Sequence, residues 1–116
     1  MTEKTALDCC YDWETKTPDR IWLTQPLGGG QVRTFTWRQA LDEARRMAAH
    51  LRSLALPPGS HIALFSKNSA WWVLADLAIW MAGHVSVPLF ATLTPTSIRQ
   101  ILEHSESVLI FIGKLD

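Results

Sequence analysis

Cysteine is scarce in this sequence. Among 116 residues, Cys9 and Cys10 are the two cysteines, and they are neighbours. Adjacent cysteines cannot close the long loop through which a disulfide stabilises a secreted domain. A second pair and a Cys-x-x-Cys spacing are both missing, so zinc binding and dithiol redox chemistry lack their usual pattern. We interpret the two residues as ordinary thiols in a reducing compartment, with metal binding or redox chemistry as the alternative.

The sequence also lacks an excess of either charge and a long apolar run. Eleven basic residues balance eleven acidic ones. Strong nucleic-acid binding draws on a basic excess, so we expect no nucleic-acid partner. The longest apolar run, 70–82, is interrupted by Asp76 and is shorter than the roughly 20 residues that a bilayer span requires. We therefore expect no transmembrane segment.

The first residues give no targeting signal. Residues 1–4 are largely polar and no apolar stretch follows them, which excludes an ordinary secretory signal peptide. The expected compartment is the cytoplasm, and association of a longer protein with membranes is the alternative.

The single glycine cluster does not have the context of a phosphate-binding loop. Gly28, Gly29 and Gly30 lie between two β-prone runs, 21–24 and 31–35. A phosphate loop would lead from a strand into a helix and would carry a correctly spaced lysine. The pattern instead predicts a β-hairpin with a glycine turn.

A helix is predicted directly after the hairpin. Thr36 and Gln39 match a capping box, in which each side chain bonds the backbone N–H of the other residue. Apolar residues then recur at three- and four-residue steps: Trp37, Ala40, Leu41, Ala44, Met47, Ala48, Leu51 and Leu54. The opposite side is charged, so one stripe is expected to be buried. The run 56–59, which contains two prolines and a glycine, ends this helix.

The rest of the chain alternates strand and helix patterns. The short apolar run at 61–65 is typical of a strand covered on both faces of a parallel sheet, and two further short strands are predicted at 85–89 and 108–112. Between them, Asn68 or Ser69 can cap a helix over 70–82, and Thr94 with Pro95 opens another helix that ends near residue 104. We therefore predict an α/β fold in which an N-terminal β-hairpin precedes a parallel, Rossmann-like β-α-β-α-β unit.

Residues 1–20 show no period, and we expect them to form an irregular N-terminal arm. The predicted organisation is thus an arm over 1–20 followed by one globular portion over 21–116. Tyr11 and Trp13 are the residues most suited to anchor the arm.

The ionisable residues suggest structural roles more than a reactive site. His50, His61, His84 and His104 have no short metal-binding spacing. His50 falls on a polar helix side and His104 near a helix end, where an imidazolium suits the helix dipole. Asp76 interrupts an apolar helix, and a buried carboxylate must find a partner or change its protonation. Two interpretations of Asp76 stand: it marks a site, or it faces solvent or pairs with a basic neighbour.

Nucleophilic serine chemistry also lacks its pattern. Ser66, Ser69 and Ser86 are not in a Gly-x-Ser-x-Gly context. We accordingly assign no catalytic, no cofactor-binding and no metal-binding residue.

Three tryptophans mark the helix over 70–82. Trp71 and Trp72 project about 100° apart, so they cannot share one narrow stripe. We expect Trp72 and Trp80 to share a face. We also expect part of this aromatic surface to meet sequence beyond residue 116, and exposed apolar surface to favour self-association of the chain.

Two stretches resemble known core motifs. Residues 34–41, Thr-Phe-Thr-Trp-Arg-Gln-Ala-Leu, resemble the first motif of adenylate-forming enzymes. Residues 80–89, Trp-Met-Ala-Gly-His-Val-Ser-Val-Pro-Leu, are similar to the second, in which a helix end leads through glycine into a Val-Pro-Leu strand. Segments 58–64, 67–72 and 101–106 occupy the expected places between and after them. Together they resemble AMP-forming acyl-CoA synthetases, most closely the long-chain fatty acid–CoA ligases.

This resemblance implies that residues 21–116 are an incomplete N-terminal portion of an AMP-binding domain. The family activates a carboxylic acid with ATP to an acyl-adenylate and transfers the acyl group to CoA. The resemblance thus implies ATP, Mg²⁺ and CoA for the parent protein, a fatty acid as substrate, and the remainder of the synthetase chain as partner.

The family's phosphate loop, its magnesium-binding acidic residues and its catalytic lysine have no counterpart within residues 1–116. We therefore expect this chain to be an inactive scaffold portion. The alternatives are an adenylation domain that loads a carrier protein and a non-catalytic interaction module on the same scaffold.

Overall fold

The fold combines a β-hairpin, a parallel sheet and four helices. The structure is a computed structural model that describes residues 4–113 and 115. In chain order its elements are α1 (Ala6–Lys16), β1 (Ile21–Gly28), β2 (Gln31–Thr36), α2 (Trp37–Ser53), β3 (His61–Phe65), α3 (Ala70–Met81), β4 (Val85–Leu89), α4 (Pro95–Ser105) and β5 (Leu109–Ile112).

The strands form two sheets. β1 and β2 pair antiparallel, and β4, β3 and β5 form a parallel sheet in that order. The predicted α/β fold, with a hairpin followed by a parallel β-α-β-α-β unit, is confirmed. No helix within residues 4–113 is long and apolar enough to cross a membrane.

The predicted irregular arm is wrong over residues 6–16, which form α1. Thr5 caps this helix: its hydroxyl accepts the Asp8 N–H at 3.1 Å, and the Asp8 carboxylate accepts the Thr5 N–H at 3.1 Å. No α1 residue is fully buried, but Leu7, Cys10 and Tyr11, spaced i, i+3 and i+4, pack against the cluster of Leu41, Ala44 and Leu77. This short apolar period and the capping box were the sequence signals for the helix. Residues 1–3 of the predicted arm lie outside the described residues.

An ion pair ties α1 to α2. Arg45 donates to both carboxylate oxygens of Glu14, at 2.5 and 2.8 Å, and also to Asp42 at 2.8 Å. The Glu14 side chain is largely shielded from solvent, and bidentate pairing fixes the orientation of both groups. Hydrogen bonding to Glu14 raises the pKa of Arg45 above its ordinary value, with a smaller contribution from Asp42.

Stacked indoles tie α1 to the hairpin. Trp22 of β1 and Trp37 at the start of α2 stack with ring centroids 4.1 Å apart and planes 7° apart. Trp13 of α1 lies on the same stack, 6.3 Å from Trp37. Offset stacking of this kind adds to the gain from area burial. The side of the hairpin nearest α1 is therefore held by three aromatic rings.

The predicted capping box of α2 is confirmed. The Thr36 hydroxyl accepts the Gln39 N–H at 3.1 Å, and the Gln39 side-chain oxygen accepts the Thr36 N–H at 3.0 Å. The helix then runs with one buried stripe, as the periodicity predicted. Leu54, the last residue of the predicted stripe, is exposed because it lies past the last helical turn.

Close packing of α2 against α3 forms most of the core. Three buried clusters each contain residues of both helices. On α2 the fully buried positions include Ala40, Ala44 and Ala48, each one turn after the last. Ala78 of α3 is also fully buried. Side chains this small let two helices approach closely, so a larger side chain at this contact would have to displace packed neighbours.

The parallel sheet lies beside these helices with β3 at its centre. Ile62 pairs in register with Ser86 of β4 and with Leu109 of β5. It is fully buried and belongs to the same cluster as Ala48 and Ala78.

Both predicted crossover helices are present. Ser69 caps α3 by accepting the Trp72 N–H at 3.2 Å, and Thr94 caps α4 by accepting the Ser97 N–H at 3.2 Å. Gly83 ends α3 with a positive φ of 81°. The helix predicted over 70–82 ends one residue earlier, and the strand predicted over 108–112 begins one residue later.

The alanine contact can be tested with adjacent substitutions. Ala48→Leu should lower the free energy of unfolding by about 1–3 kcal/mol, because the added carbons must displace packed atoms of α3. Ala49→Leu, one residue on at an exposed position, should change it by less than about 0.5 kcal/mol. Urea denaturation followed by circular dichroism measures both. Equal effects of the two variants would contradict the packing described here.

Candidate functional site

The most promising concave surface lies at the carboxyl edge of the parallel sheet. Ligands of open α/β sheets usually bind beyond the carboxyl ends of the strands. At this edge β3 continues into Ser66 and β5 into Gly113, and a groove of about 160 Å³ lies between these residues and α3. Its lining is mostly apolar and includes Trp71, Trp72 and Phe111.

The floor of the groove depends on a glycine. The Gly113 N–H donates to the Phe65 carbonyl at 2.9 Å, which extends the pairing of β5 with β3 by one residue. A Cβ at Gly113 would lie 2.5 Å from the Ser66 Oγ and 2.8 Å from its Cβ, too close for non-bonded atoms. Ser66 is itself buried and its hydroxyl donates to the Lys67 carbonyl at 2.9 Å. Sequence reasoning did not single out Gly113, because the contact joins residues 47 positions apart.

The three tryptophans of α3 lie in two places. Trp71 and Trp72 both line the groove. Trp80 lies beside residues 5–7 at the start of α1. The sharing of one helix face by Trp72 and Trp80, two turns apart, stays a prediction. Side chains of adjacent helical residues project about 100° apart, and both can line one groove if the groove is wider than one stripe of the helix surface.

The amino end of α3 faces this edge, but two of its first three N–H groups are occupied. Free N–H groups at a helix start make an anion site. Here the Ala70 N–H donates to the side-chain oxygen of Gln25 from β1 at 2.8 Å, and the Trp72 N–H donates to Ser69. Among residues 4–113 and 115, those that line the groove carry no charged side chain. The chemistry of these described residues suits an apolar or aromatic group.

The glycine cluster is not part of this groove but lies in the turn of the hairpin. Gly28, Gly29 and Gly30 all have positive φ, which glycine adopts at little cost. Among the residues that the structure describes, no atom outside the neighbouring residues lies within 4 Å of a Cβ built on any of them. The predicted hairpin turn is confirmed.

The four histidines are dispersed. His50 and His104 are exposed on α2 and α4, and the His61 Nδ1 lies 2.6 Å from the Ser105 carbonyl, which it can bond only as a donor. His84 follows Gly83 as expected but is buried, and its Nδ1 has no hydrogen-bond partner within the described part of the chain. Across residues 4–113, no group of three or more His, Cys, Asp or Glu side chains is arranged to hold a metal ion.

Asp76 remains the unusual charge that the sequence indicated. It is half-buried on α3, and its Oδ1 is buried without a hydrogen-bond partner among residues 4–113 and 115. None of the ion pairs in this described portion includes it. Of the alternatives for Asp76, pairing with a basic neighbour is therefore not formed among the described residues. The Ser86 hydroxyl is buried without a partner there as well.

The adjacent cysteines differ in environment. Cys9 is exposed, whereas Cys10 is half-buried against Leu41 and Leu77. Burial raises the pKa of the Cys10 thiol, and the neighbouring Cys9 adds to the shift. Since the thiolate is the reactive and metal-binding form, Cys10 is the less reactive of the two.

The contact between Gly113 and Ser66 can be tested by a double-mutant cycle. Gly113→Ala should destabilise the chain by about 1–3 kcal/mol, because the new methyl group overlaps the Ser66 side chain. In a Ser66→Gly background the overlapping atoms are gone, so the same substitution should cost much less. Ser66→Ala keeps the Cβ and serves as the control, in which most of the cost persists. Additive effects in the Ser66→Gly background would contradict the contact.

Known proteins share both the sequence pattern and the fold. The profile of the AMP-binding enzyme family matches residues 10–116. The long-chain-fatty-acid–CoA ligase FadD15 of Mycobacterium bovis is 31% identical over 101 residues, which are 87% of this chain and 17% of the relative. The nonribosomal peptide synthetase easA of Emericella nidulans is 31% identical over 103 residues, 89% of this chain and 1% of the relative.

The crystal structure of IdnL1 superposes with a TM-score of 0.85 at 22% identity, covering 95% of this chain and 22% of IdnL1. The chain thus spans less than a quarter of the length of each of these three proteins. The family match covers the hairpin, the parallel sheet and the groove at its edge, and the chain belongs to the AMP-binding enzyme family.

Proposed function

We propose that this chain is the scaffold portion of a long-chain fatty acid–CoA ligase and is inactive alone. The observation that carries the proposal is the groove at the carboxyl edge: it lies where α/β folds bind ligands, yet the described residues that line it are mostly apolar and none is charged. Such an edge can support a nucleotide site built by other residues. The identity of 31% with FadD15 over most of the chain supports the fatty acid–CoA ligase class.

ATP and Mg²⁺ do not fit the described residues. Attack of a carboxylate on the ATP α-phosphate builds charge that Mg²⁺, cations or N–H donors must neutralise. The amino end of α3 is occupied by Gln25 and Ser69, and the glycine cluster lies in a hairpin turn. We therefore derive no chemical step on this chain.

The chain's own contribution is positional. β3 packs under α2 and α3 and pairs with β5. It therefore positions both Ser66, which follows β3, and Gly113, which follows β5, at the carboxyl edge. Gly113 keeps the two strand ends in contact, and Trp71 and Trp72 give that edge an aromatic wall. In the parent ligase, the remainder of the synthetase chain would complete the site against this wall and would bind fatty acid, ATP and CoA. We place that ligase in the cytoplasm, where association with membranes would suit an apolar substrate.

The second candidate is an adenylation domain that loads a carrier protein. The similarity to easA, at the same 31% identity, favours it. We expect the residues that select the acid to lie outside this chain, so the described residues do not distinguish the two candidates. A non-catalytic interaction module on the same scaffold is the third alternative.

Inactivity can be measured directly. The purified 116-residue chain, given ATP, Mg²⁺, a long-chain fatty acid and CoA, should release no pyrophosphate above the rate without enzyme. A full-length fatty acid–CoA ligase in the same assay serves as the positive control. Turnover that co-purifies with the chain and disappears on heat denaturation would overturn the inactivity.

Extending the reading frame separates the three candidates. Beyond codon 116 we expect a Ser/Thr-Gly-rich loop followed by a lysine, and the protein encoded by the extended frame should exchange pyrophosphate into ATP with long-chain fatty acids. Exchange that depends on amino or aryl acids would favour the adenylation domain. A natural stop codon would favour the interaction module.

A further inference from the structure

Helix α1 is attached to the protein by apolar side chains that all remain partly accessible to solvent. Leu7, Cys10 and Tyr11 pack against a buried cluster shared by α2 and α3, yet no residue of α1 is itself fully buried. The contact between α2 and α3, in contrast, buries residues of both helices completely. Segments with few buried apolar contacts open at a lower free energy than the core. Helix α1 can therefore separate while the contact between α2 and α3 stays intact.

One ion pair fixes the position of α1 on α2. Glu14 accepts two hydrogen bonds from the Arg45 guanidinium, and within the described residues no other ion pair joins α1 to another helix or strand. Arg45 also donates to Asp42 of its own helix, so it keeps a carboxylate partner when Glu14 leaves. The Arg45 side chain is 43% exposed. Release of α1 thus leaves no buried charge unpaired, and dissolved salt can screen the pair.

The indole stack does not depend on α1 either. Trp13 is 46% exposed and lies at one end of the stack, 6.3 Å from Trp37. The closer contact joins Trp22 of β1 to Trp37 of α2. These two rings can therefore remain stacked when Trp13 withdraws.

The connection after α1 is fastened to the start of α2, which defines a hinge. The Arg38 N–H donates to the Pro18 carbonyl at 3.1 Å. The Thr17 N–H and hydroxyl both donate to the Trp13 carbonyl, so Thr17 is held by α1. The junction of Thr17 with Pro18 lies between these two sets of hydrogen bonds, and Thr17 has left helical geometry, with φ −138° and ψ 60°. Rotation at Thr17 can swing α1 away without breaking a hydrogen bond on either side of the hinge.

We propose that α1 is a hinged cover that opens as a unit at Thr17 while the hairpin, α2 and α3 stay folded. The pair of Glu14 with Arg45 sets how often it opens. A helix of 11 residues is marginal in water on its own, so the released segment unfolds. Opening uncovers the cluster that contains Leu41 and Leu77, and ionic strength thereby controls access to an apolar surface. The proposal goes beyond the proposed enzymatic class and does not depend on it.

Amide exchange tests whether α1 opens separately from the core. In NMR hydrogen-exchange measurements, the hydrogen-bonded amides of α1 should share one protection factor, below that of the central amides of α2. Ile62→Val weakens the core beneath α2 and α3 and should lower the protection of α2 about 2- to 10-fold, while that of α1 stays unchanged. Equal losses in both helices, or equal protection of both in the unmodified chain, would mean that α1 opens only when the whole fold does. Either result would overturn the proposal.

A charge substitution tests the role of the ion pair. Glu14→Gln should lower the protection of α1 about 2- to 10-fold. Glu43→Gln is the matched control, because it removes the ion pair of Glu43 with Arg46 inside α2 and should leave the protection of α1 unchanged. Far-ultraviolet circular dichroism checks that each variant is folded. Unchanged α1 protection in Glu14→Gln, or the same loss in Glu43→Gln, would contradict the control of opening by this pair.

Thiol labelling measures the same release through Cys10, which lies half-buried under α1. In a Cys9→Ser background, the Cys10 thiolate attacks an uncharged dipyridyl disulfide and displaces a pyridinethione whose absorbance is followed. Salt raised from about 0.01 M to about 1 M shortens the Debye length from about 30 Å to about 3 Å and should speed this reaction. Glu14→Gln should speed it at low salt and abolish most of the salt effect. The exposed Cys9, labelled in a Cys10→Ser background, should respond to neither change. A Cys10 rate that ignores both salt and Glu14→Gln would refute the hinged cover.

Discussion

The close contact between α2 and α3 is the constraint on which the remaining structure depends. Ala40, Ala44 and Ala48 leave so little side-chain volume that α3 can lie directly against α2. With α3 fixed, the strand before it and the strand after it are fixed as well, since both are joined to it by short connections. β5 then takes its place by pairing with β3. The carboxyl edge and its groove are thus a consequence of helix packing on one side of the sheet.

Sequence reasoning recovered this framework because its elements carry local signals. The capping box at Thr36, the cap at Ser69 and the continuous apolar strands each depend on residues only a few positions apart. Helix α1 was missed because its apolar contacts are only partial: Leu7, Cys10 and Tyr11 are partly buried against α2 and α3, and the pair of Glu14 with Arg45 and the indole stack add polar and aromatic contacts. The Thr5 cap and the spacing of Leu7, Cys10 and Tyr11 were the sequence signals that could have predicted this helix.

The site was harder to predict than the fold. The contact of Gly113 with Ser66 and the hydrogen bond from Ala70 to Gln25 join residues 45 or more positions apart, and no local sequence pattern predicts either. The same limit applies to Asp76, whose apolar surroundings were evident while its lack of a partner was not. Local sequence thus specified which elements form. Tertiary packing specified which atoms meet at the carboxyl edge.

The glycine turn of the hairpin has a practical consequence for handling this protein. Gly28, Gly29 and Gly30 project from the end of β1, and nothing else in the described chain approaches them. The indole stack holds the hairpin at its opposite end, near Trp22. Exposed loop tips made of small residues tolerate insertions best. An affinity epitope or a fluorescent label placed within this turn would therefore leave both the groove and the sheet edges undisturbed.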